Sequence, residues 1–160
     1  MNSAIVSLPQ QLLTVFNERQ EVIFECVVNT AKNGVGCLQD SGCTPMGQHY
    51  VRACIGEGLS PYAVLTGRRP TGEVWSQELM DAFPQRDWIL GRILWLCGLE
   101  SGINRGGQVD TFRRYIYIHG SPEWSSELPP SSHGCVRVQP EDMLSVYQFL
   151  PYGARVSIET

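Results

Sequence analysis

The octapeptide SSHGCVRV, residues 131–138, sets Cys135 among the residue types that thiol chemistry uses. A free cysteine has a pKa of about 8.5 and is only a few per cent thiolate at neutral pH, so a nucleophilic one needs a neighbouring base. Two histidines are candidates. His133 lies two residues before Cys135, where neither an extended chain nor a tight turn has to bring its ring to the sulfur. His119 lies sixteen residues upstream at the end of RRYIYIHG, and the segment GSPEWSSELPPSS is long enough to fold back and set Cys135 against it. Gly134, lacking a β-carbon, can take a positive φ and let the N–H groups around Cys135, His133 included, converge on a developing oxyanion. Arg137 offers a planar fork matched to a carboxylate. On residue type alone His119, His133 and Cys135 also make a three-ligand zinc set, although HGC gives little freedom for two of them to reach one ion. A domain that binds a ligand without turning it over is a third reading.

These side chains depend on the elements that carry them. AIVSL, QLLTVFN and EVIFECVVNT are short, rich in β-branched and aromatic residues, and separated by Pro9 and the NERQ turn, so they read as strands. GQHYVRACI adds another, and AKNGVGCLQDSGCTPMG, with four glycines and a proline, is a loop. SQELMDAF reads as a short helix capped by Ser76, while DWILGRILWLCGLE fits a buried strand or a helix, with Gly91 weakening the helix. RRYIYIHG predicts a strand through Gly120, on which Tyr115, Tyr117 and His119 share one face. QPEDMLSVYQFLP is the clearest helix, with Pro140 in its first turn, an apolar stripe of Met143, Val146, Tyr147 and Leu150, and Pro151 to stop it. ARVSIE closes the chain as a strand. The expected fold is one domain over residues 1–160, mostly β, a sandwich or barrel of short strands with one or two short helices. Trp75, Trp88 and Trp95 are expected in the core and His49 at the surface or in packing. Trp124, between His119 and Cys135, is expected to line or cover the cleft.

With 160 residues, 42% apolar, the chain can bury one sizeable core. Its net charge of −4 leaves no basic surface for nucleic acid or anionic lipid. The longest apolar stretch is short for a membrane span and contains Arg92. No charged-then-apolar leader opens the sequence, so a cytoplasmic location is expected, with the six cysteines as reduced thiols and no bridge between Cys37 and Cys43.

The span from YIYIHG to SSHGCVR resembles the signature of the L,D-transpeptidase catalytic domain (YkuD) family: a histidine, a spacer, then Ser/Thr-His-Gly-Cys, an apolar residue and Arg or Asn. TPMG at 44–47 is similar to that family's Thr-Pro-x-Gly, and the opening VSLPQQLLTVFNERQEVIFECVV to its first strands. The resemblance implies a cysteine nucleophile acting on the tetrapeptide stem of peptidoglycan, without a cofactor. The thiolate attacks the carbonyl of the third residue, usually diaminopimelate, and expels D-alanine to leave a thioester. Carried over, Cys135 is the nucleophile, His119 its base, and the Gly120 carbonyl the group that orients the imidazole. The N–H groups of Gly134 and Cys135, with His133, supply oxyanion contacts, Arg137 meets a substrate carboxylate, and Ser132, Arg114, Tyr117 and Trp124 complete the substrate contacts. Residues 86–120 resemble the branch that trims recycled muropeptides, which implies a cytoplasmic L,D-carboxypeptidase with water as acceptor. The alternative is a transpeptidase of the same chemistry.

Overall fold

The computed structural model describes residues 1–122 and 129–160. Among the described residues ten strands carry the fold: β1 (Ser3–Ser7), β2 (Leu12–Phe16), β3 (Val22–Asn29), β4 (Gly47–Ile55), β5 (Ala63–Thr66), β6 (Arg69–Val74), β7 (Ile89–Gly98), β8 (Tyr117–Gly120), β9 (Val136–Val138) and β10 (Arg155–Glu159). Two short helices join them, α1 (Gln77–Ala82) and α2 (Pro140–Phe149). In β1 and β2 every second side chain is buried, the period that a strand with one covered face requires. The strands follow the order β4-β10-β1-β2-β3-β9-β8-β7, and β7 also pairs with β4, so these eight close into a barrel. Closure leaves β5 and β6 as a hairpin attached to the start of β7, where Val64 and Leu65 pair with Leu90 and Ile89. Strand β1 runs parallel to β10 and β8 parallel to β9, and the other neighbours are antiparallel.

The barrel interior is filled by side chains such as Val6, Leu13, Val28, Leu94, Leu96, Ile118, Val136 and Ile158, with Met143 and Val146 of α2 and its C-cap Leu150 packed among them. Ser76 caps α1 by accepting from the Leu79 N–H, and Pro140 begins α2.

The ambiguous run 87–100 is strand β7. Leu94 and Leu96 face the barrel interior while Ile93 and Trp95 join a second apolar cluster with Leu65 and Tyr117, so both faces are covered and the polar half of the alternation is missing. Gly91 marks an irregularity in this strand between Leu90 and Ile93; its φ is +76°, and a β-carbon there would lie 2.5 Å from the Pro61 carbonyl oxygen. The hairpin of β5 and β6 is an element that the sequence reading lacked.

The predicted strand at 113–120 is shorter than expected. Asp110 holds a turn in front of it: its carboxylate accepts from Gly106 and Arg113 N–H, and its carbonyl accepts from Arg114 N–H. Tyr115 ends that turn at φ +56°, exposed, and does not share a strand face with Tyr117 and His119. No helix among the described residues is long and apolar enough to cross a membrane. All six cysteines are free thiols.

His49 is fully buried in β4, with its ring nitrogens on the Gly47 carbonyl and the Thr111 hydroxyl at 2.9 and 3.0 Å. Burial pushes its pKa down to about 4, against a smaller raising by the Gly47 carbonyl and Glu100. The unfolded chain therefore takes up a proton near pH 6.5 while the native state resists it. Stability contributed here is complete above pH 6.5 and falls as the pH drops towards 4, by about 3 kcal/mol. Urea denaturation at pH 7 and pH 4.5 is expected to show this loss, and His49→Gln to reduce it.

Candidate active site

Strands β8 and β9 bring the two ends of the sequence signature together. Ile118 pairs with Val136 and His119 with Arg137 in parallel register. Ile118 and Val136 point into the barrel core, so His119 and Arg137 lie on the outer face, with Cys135 two positions before Arg137 on the same side. Sixteen residues of sequence thus become a diagonal neighbour across two strands. Cys135, His119, His133, Arg114, Arg137 and Asp87 line one cavity of about 170 Å³.

His119 is almost wholly buried, and its Nδ1–H donates to the Gly120 carbonyl at 2.7 Å. That bond fixes the neutral tautomer with the lone pair on Nε2, the form a base needs. A β-carbon on Gly120 would lie 2.4 Å from the Leu90 carbonyl oxygen, so only glycine allows β7 and β8 to approach this closely. Burial lowers the His119 pKa, the Gly120 carbonyl and Asp87 oppose that shift, and Arg137 adds to it.

Cys135 Sγ accepts from the Tyr117 N–H and donates to the Tyr115 carbonyl, each at 3.4 Å. Burial pushes the thiol pKa up to about 12, with Asp87 adding to the rise and the Tyr117 N–H, Arg137 and Arg114 opposing it. Among the described residues no hydrogen bond joins thiol to imidazole, although both line the same cavity. The thiol is instead within hydrogen-bond reach of the Tyr115 carbonyl. Burial raises the thiol pKa and lowers that of the imidazole, so the surroundings favour the neutral form of each group. Alkylation of Cys135 by iodoacetamide is expected to accelerate about tenfold per pH unit from pH 7 to 10 without a plateau, because the reactive thiolate fraction is still growing there. Peptide mapping of the modified protein measures that rate.

The turn that presents Cys135 is braced from inside. Ser132 is buried; its hydroxyl accepts from the Gly134 N–H at 3.2 Å and donates to the Cys135 carbonyl at 2.6 Å. Ser132 thus braces the turn, and the Gly134 N–H donates to its hydroxyl. Gly134 itself has φ +132°, and a β-carbon there would meet Ile116 Cδ1 at 2.9 Å and the Cys43 carbonyl at 3.1 Å. Thr44, the first residue of TPMG, donates its hydroxyl to the Gly134 carbonyl at 2.9 Å and accepts from the Ala31 N–H at 3.0 Å. It is the tie between the glycine-rich loop and the cysteine turn, a role that spacing along the chain did not reveal.

Tyr117 and Arg114 both make hydrogen bonds within the protein. Tyr117 is buried, its ring edge-on to Trp95 and its hydroxyl accepting from Arg68 at 3.0 Å, while its backbone N–H faces the Cys135 sulfur. Arg114 donates to the Gly36 carbonyl, the Ser41 hydroxyl and the Cys43 carbonyl at 3.2, 3.3 and 2.7 Å, which clamps the loop against the cavity wall. His133 is exposed at the cavity rim. Trp124 lies outside the described residues. Arg137 keeps a reachable guanidinium, with Nη1 donating to the Ser131 hydroxyl at 3.2 Å and Nη2 lying 3.7 Å from Asp87.

Asp87 was missed in the sequence, where it belongs to no motif; only the pairing of Leu90 with Gly120 shows that the residues before β7 reach this cavity. Among the described residues no cluster of three His, Cys, Asp or Glu side chains is placed to hold a metal ion. The zinc set of His119, His133 and Cys135 is accordingly not assembled here: His119 gives one ring nitrogen to Gly120, and His133 sits at the rim.

A family model described as the L,D-transpeptidase catalytic domain (YkuD) matches residues 2–158. Among solved structures, an L,D-transpeptidase from Mycobacterium smegmatis superposes with a TM-score of 0.57 at 15% identity, covering 99% of this chain and 58% of that one. A mutant Enterococcus faecium L,D-transpeptidase gives 0.57 at 17%, covering 98% and 49%. L,D-transpeptidase 3 from Mycobacterium tuberculosis, in complex with a faropenem-derived adduct, gives 0.55 at 16%, covering 99% and 60%. At these identities the likeness is one of fold, and the chain spans roughly half to three-fifths of the length of these structures. No curated protein matches the sequence.

Proposed function

We propose, from the premise that the chain belongs to the L,D-transpeptidase catalytic domain family and is a cysteine-dependent enzyme of it, that this site removes the terminal D-alanine from peptidoglycan tetrapeptide stems. The observation that carries the reading is the placement of Cys135, the tautomer-fixed His119 and the guanidinium of Arg137 around one cavity.

On substrate binding the Cys135 thiol leaves the Tyr115 carbonyl and gives its proton to His119 Nε2. The sulfur attacks the carbonyl of the third residue. With the Gly134 N–H held by Ser132, the N–H groups of Cys135 and His133 stabilise the oxyanion. The imidazolium then protonates the departing amine of D-alanine, and the C–N bond breaks to leave a thioester. Water, deprotonated by the same imidazole, hydrolyses the thioester and releases the tripeptide and the thiol.

The choice of water over an amine acceptor is supported by the similarity of residues 86–120 to the muropeptide-trimming branch. On that reading the enzyme works in the cytoplasm on recycled muropeptides, returning tripeptide for precursor synthesis. The test is incubation of the purified protein with disaccharide tetrapeptide, with and without a D-amino acid, followed by mass analysis. Tripeptide in both reactions is expected; an exchanged tetrapeptide in the second would make the protein a transferase. Cell fractionation with an antibody to the native chain tests the location.

A further inference from the structure

We infer that Arg68, at the tip of the β5–β6 hairpin, is a positioning residue for Cys135: its side chain holds Tyr115 and Tyr117, whose backbone groups set the place from which the sulfur attacks. The inference rests on the function proposed above and deepens it, giving the hairpin a part in the chemistry of the barrel wall beside it.

The hairpin turns on two residues. Thr66 pairs with Arg69, which leaves Gly67 and Arg68 as the loop, with φ of +56° and +64°. Left-handed φ at both places is the mark of a type I′ turn, where glycine is the ordinary choice at the second place and an arginine is strained. The contacts of the side chain account for its presence. Its guanidinium lies over the Trp95 ring at 4.8 Å and over the Tyr115 ring at 5.0 Å, and Nη1 donates to the Tyr117 hydroxyl at 3.0 Å. Among the described residues no carboxylate forms an ion pair with it. The ring beneath this cation is itself held: Trp95 stacks on Phe112 at 4.0 Å, and its indole N–H donates to the Phe112 carbonyl at 2.9 Å.

These contacts lead to the sulfur. The Tyr117 N–H donates to Cys135 Sγ and the Tyr115 carbonyl faces it, each at 3.4 Å. Both groups belong to the residues whose side chains Arg68 touches. Tyr115 is left-handed as well, at φ +56°, and exposed, so burial does little to keep it there. The guanidinium over its ring and the bond from its N–H to the Phe112 carbonyl keep it instead. Two strained residues far apart in the chain therefore meet side chain to side chain, and the nucleophile lies against one of them. Without Arg68 the Tyr115 carbonyl and the Tyr117 N–H lose their common support, and Sγ drifts from the line that attack requires.

Rates of D-alanine release from disaccharide tetrapeptide, and of Cys135 alkylation by iodoacetamide at a fixed alkaline pH, are measured for the wild type and for variants at residues 68 and 69. Arg68→Met is expected to lower kcat about ten- to a hundredfold with KM within about twofold, since a displaced nucleophile costs rate rather than binding. Alkylation should move the other way, about three- to tenfold faster, because burial is the largest cause of the raised thiol pKa and a loosened sulfur is less buried. Arg68→Lys keeps a cation for the rings and a donor for the Tyr117 hydroxyl, and should recover kcat to within about threefold of the wild type. Arg68→Gly removes the side chain and the strain of the turn together, so it should melt no lower than Arg68→Met while sharing its loss of rate. Arg69→Met makes the same change of charge at an exposed neighbour and should match the wild type in both rates. A raised KM with kcat intact in Arg68→Met would make Arg68 a substrate contact, and unchanged alkylation would mean that the sulfur has not moved; either overturns the inference. So does an equal fall in kcat in Arg69→Met, which would trace the effect to charge alone. If the wild type itself releases no D-alanine, the proposed function fails, and the alkylation rates still decide the inference.

Discussion

Cys135→Ala is expected to abolish D-alanine release, with a fall of about 10⁵-fold or more, while leaving the fold intact. The sulfur is the atom that must bond to substrate carbon, and no other thiol lines its cavity. Cys37 and Cys43 lie on the glycine-rich loop, where the Cys43 thiol is turned to the carbonyls of Asn33 and Ser41. Cys135 is only partly buried, at the edge of the cluster formed by Leu65, Ile93 and Tyr117, so its truncation should cost no more than about 1 kcal/mol of stability. Thermal unfolding of the variant separates lost chemistry from lost structure. A serine replacement should be nearly as inactive, because a hydroxyl is a weaker nucleophile beside the same base.

His119→Gln is expected to lower kcat by about 10²- to 10⁴-fold, the usual range for removal of a general base. The effect should be large because the thiol, held near pKa 12 by its surroundings, cannot ionise unaided at neutral pH. Residual activity of the variant should climb with pH as hydroxide takes over the deprotonation. The wild type should behave oppositely at the acid end. Its base must be neutral to accept a proton, and burial lowers the His119 pKa, so activity should persist below pH 6.5 before falling as the imidazole protonates. Profiles of kcat/KM against pH for the two proteins check both limbs.

The comparison between sequence and structure follows how local each determinant is. The β1–β2–β3 meander, the Ser76 cap and the Pro140 start of α2 are written in neighbouring residues, and these elements form where the pattern placed them. Cys135, His119 and the glycine between His133 and Cys135 were equally legible, because a nucleophile, a base and a flexible backbone point are recognisable residue types. What spacing could not show is which backbone and side-chain groups hold them. Ser132 looked like a polar substrate contact because its letter says nothing of its inward rotation, and Tyr117 looked available because the cover supplied by Leu65 and Trp95 comes from strands far away in sequence. Strand β7 was ambiguous because two apolar clusters cover its two faces. Thr44 and Asp87 take their meaning only from the register of the barrel, which brings residue 44 under Gly134 and residue 87 to the mouth of the cavity.

The central claim is that His119 deprotonates Cys135 in the substrate complex, so that the sulfur carries the acyl group. Rapid quenching of enzyme with tetrapeptide stem, followed by intact mass and peptide mapping, tests it most directly. The expected result is an adduct with the mass of the stem less D-alanine, located on Cys135 in the wild type and formed at least about a hundredfold more slowly in His119→Gln. Product release with no such adduct, an adduct on another residue, or equal acylation rates in the two proteins would contradict it.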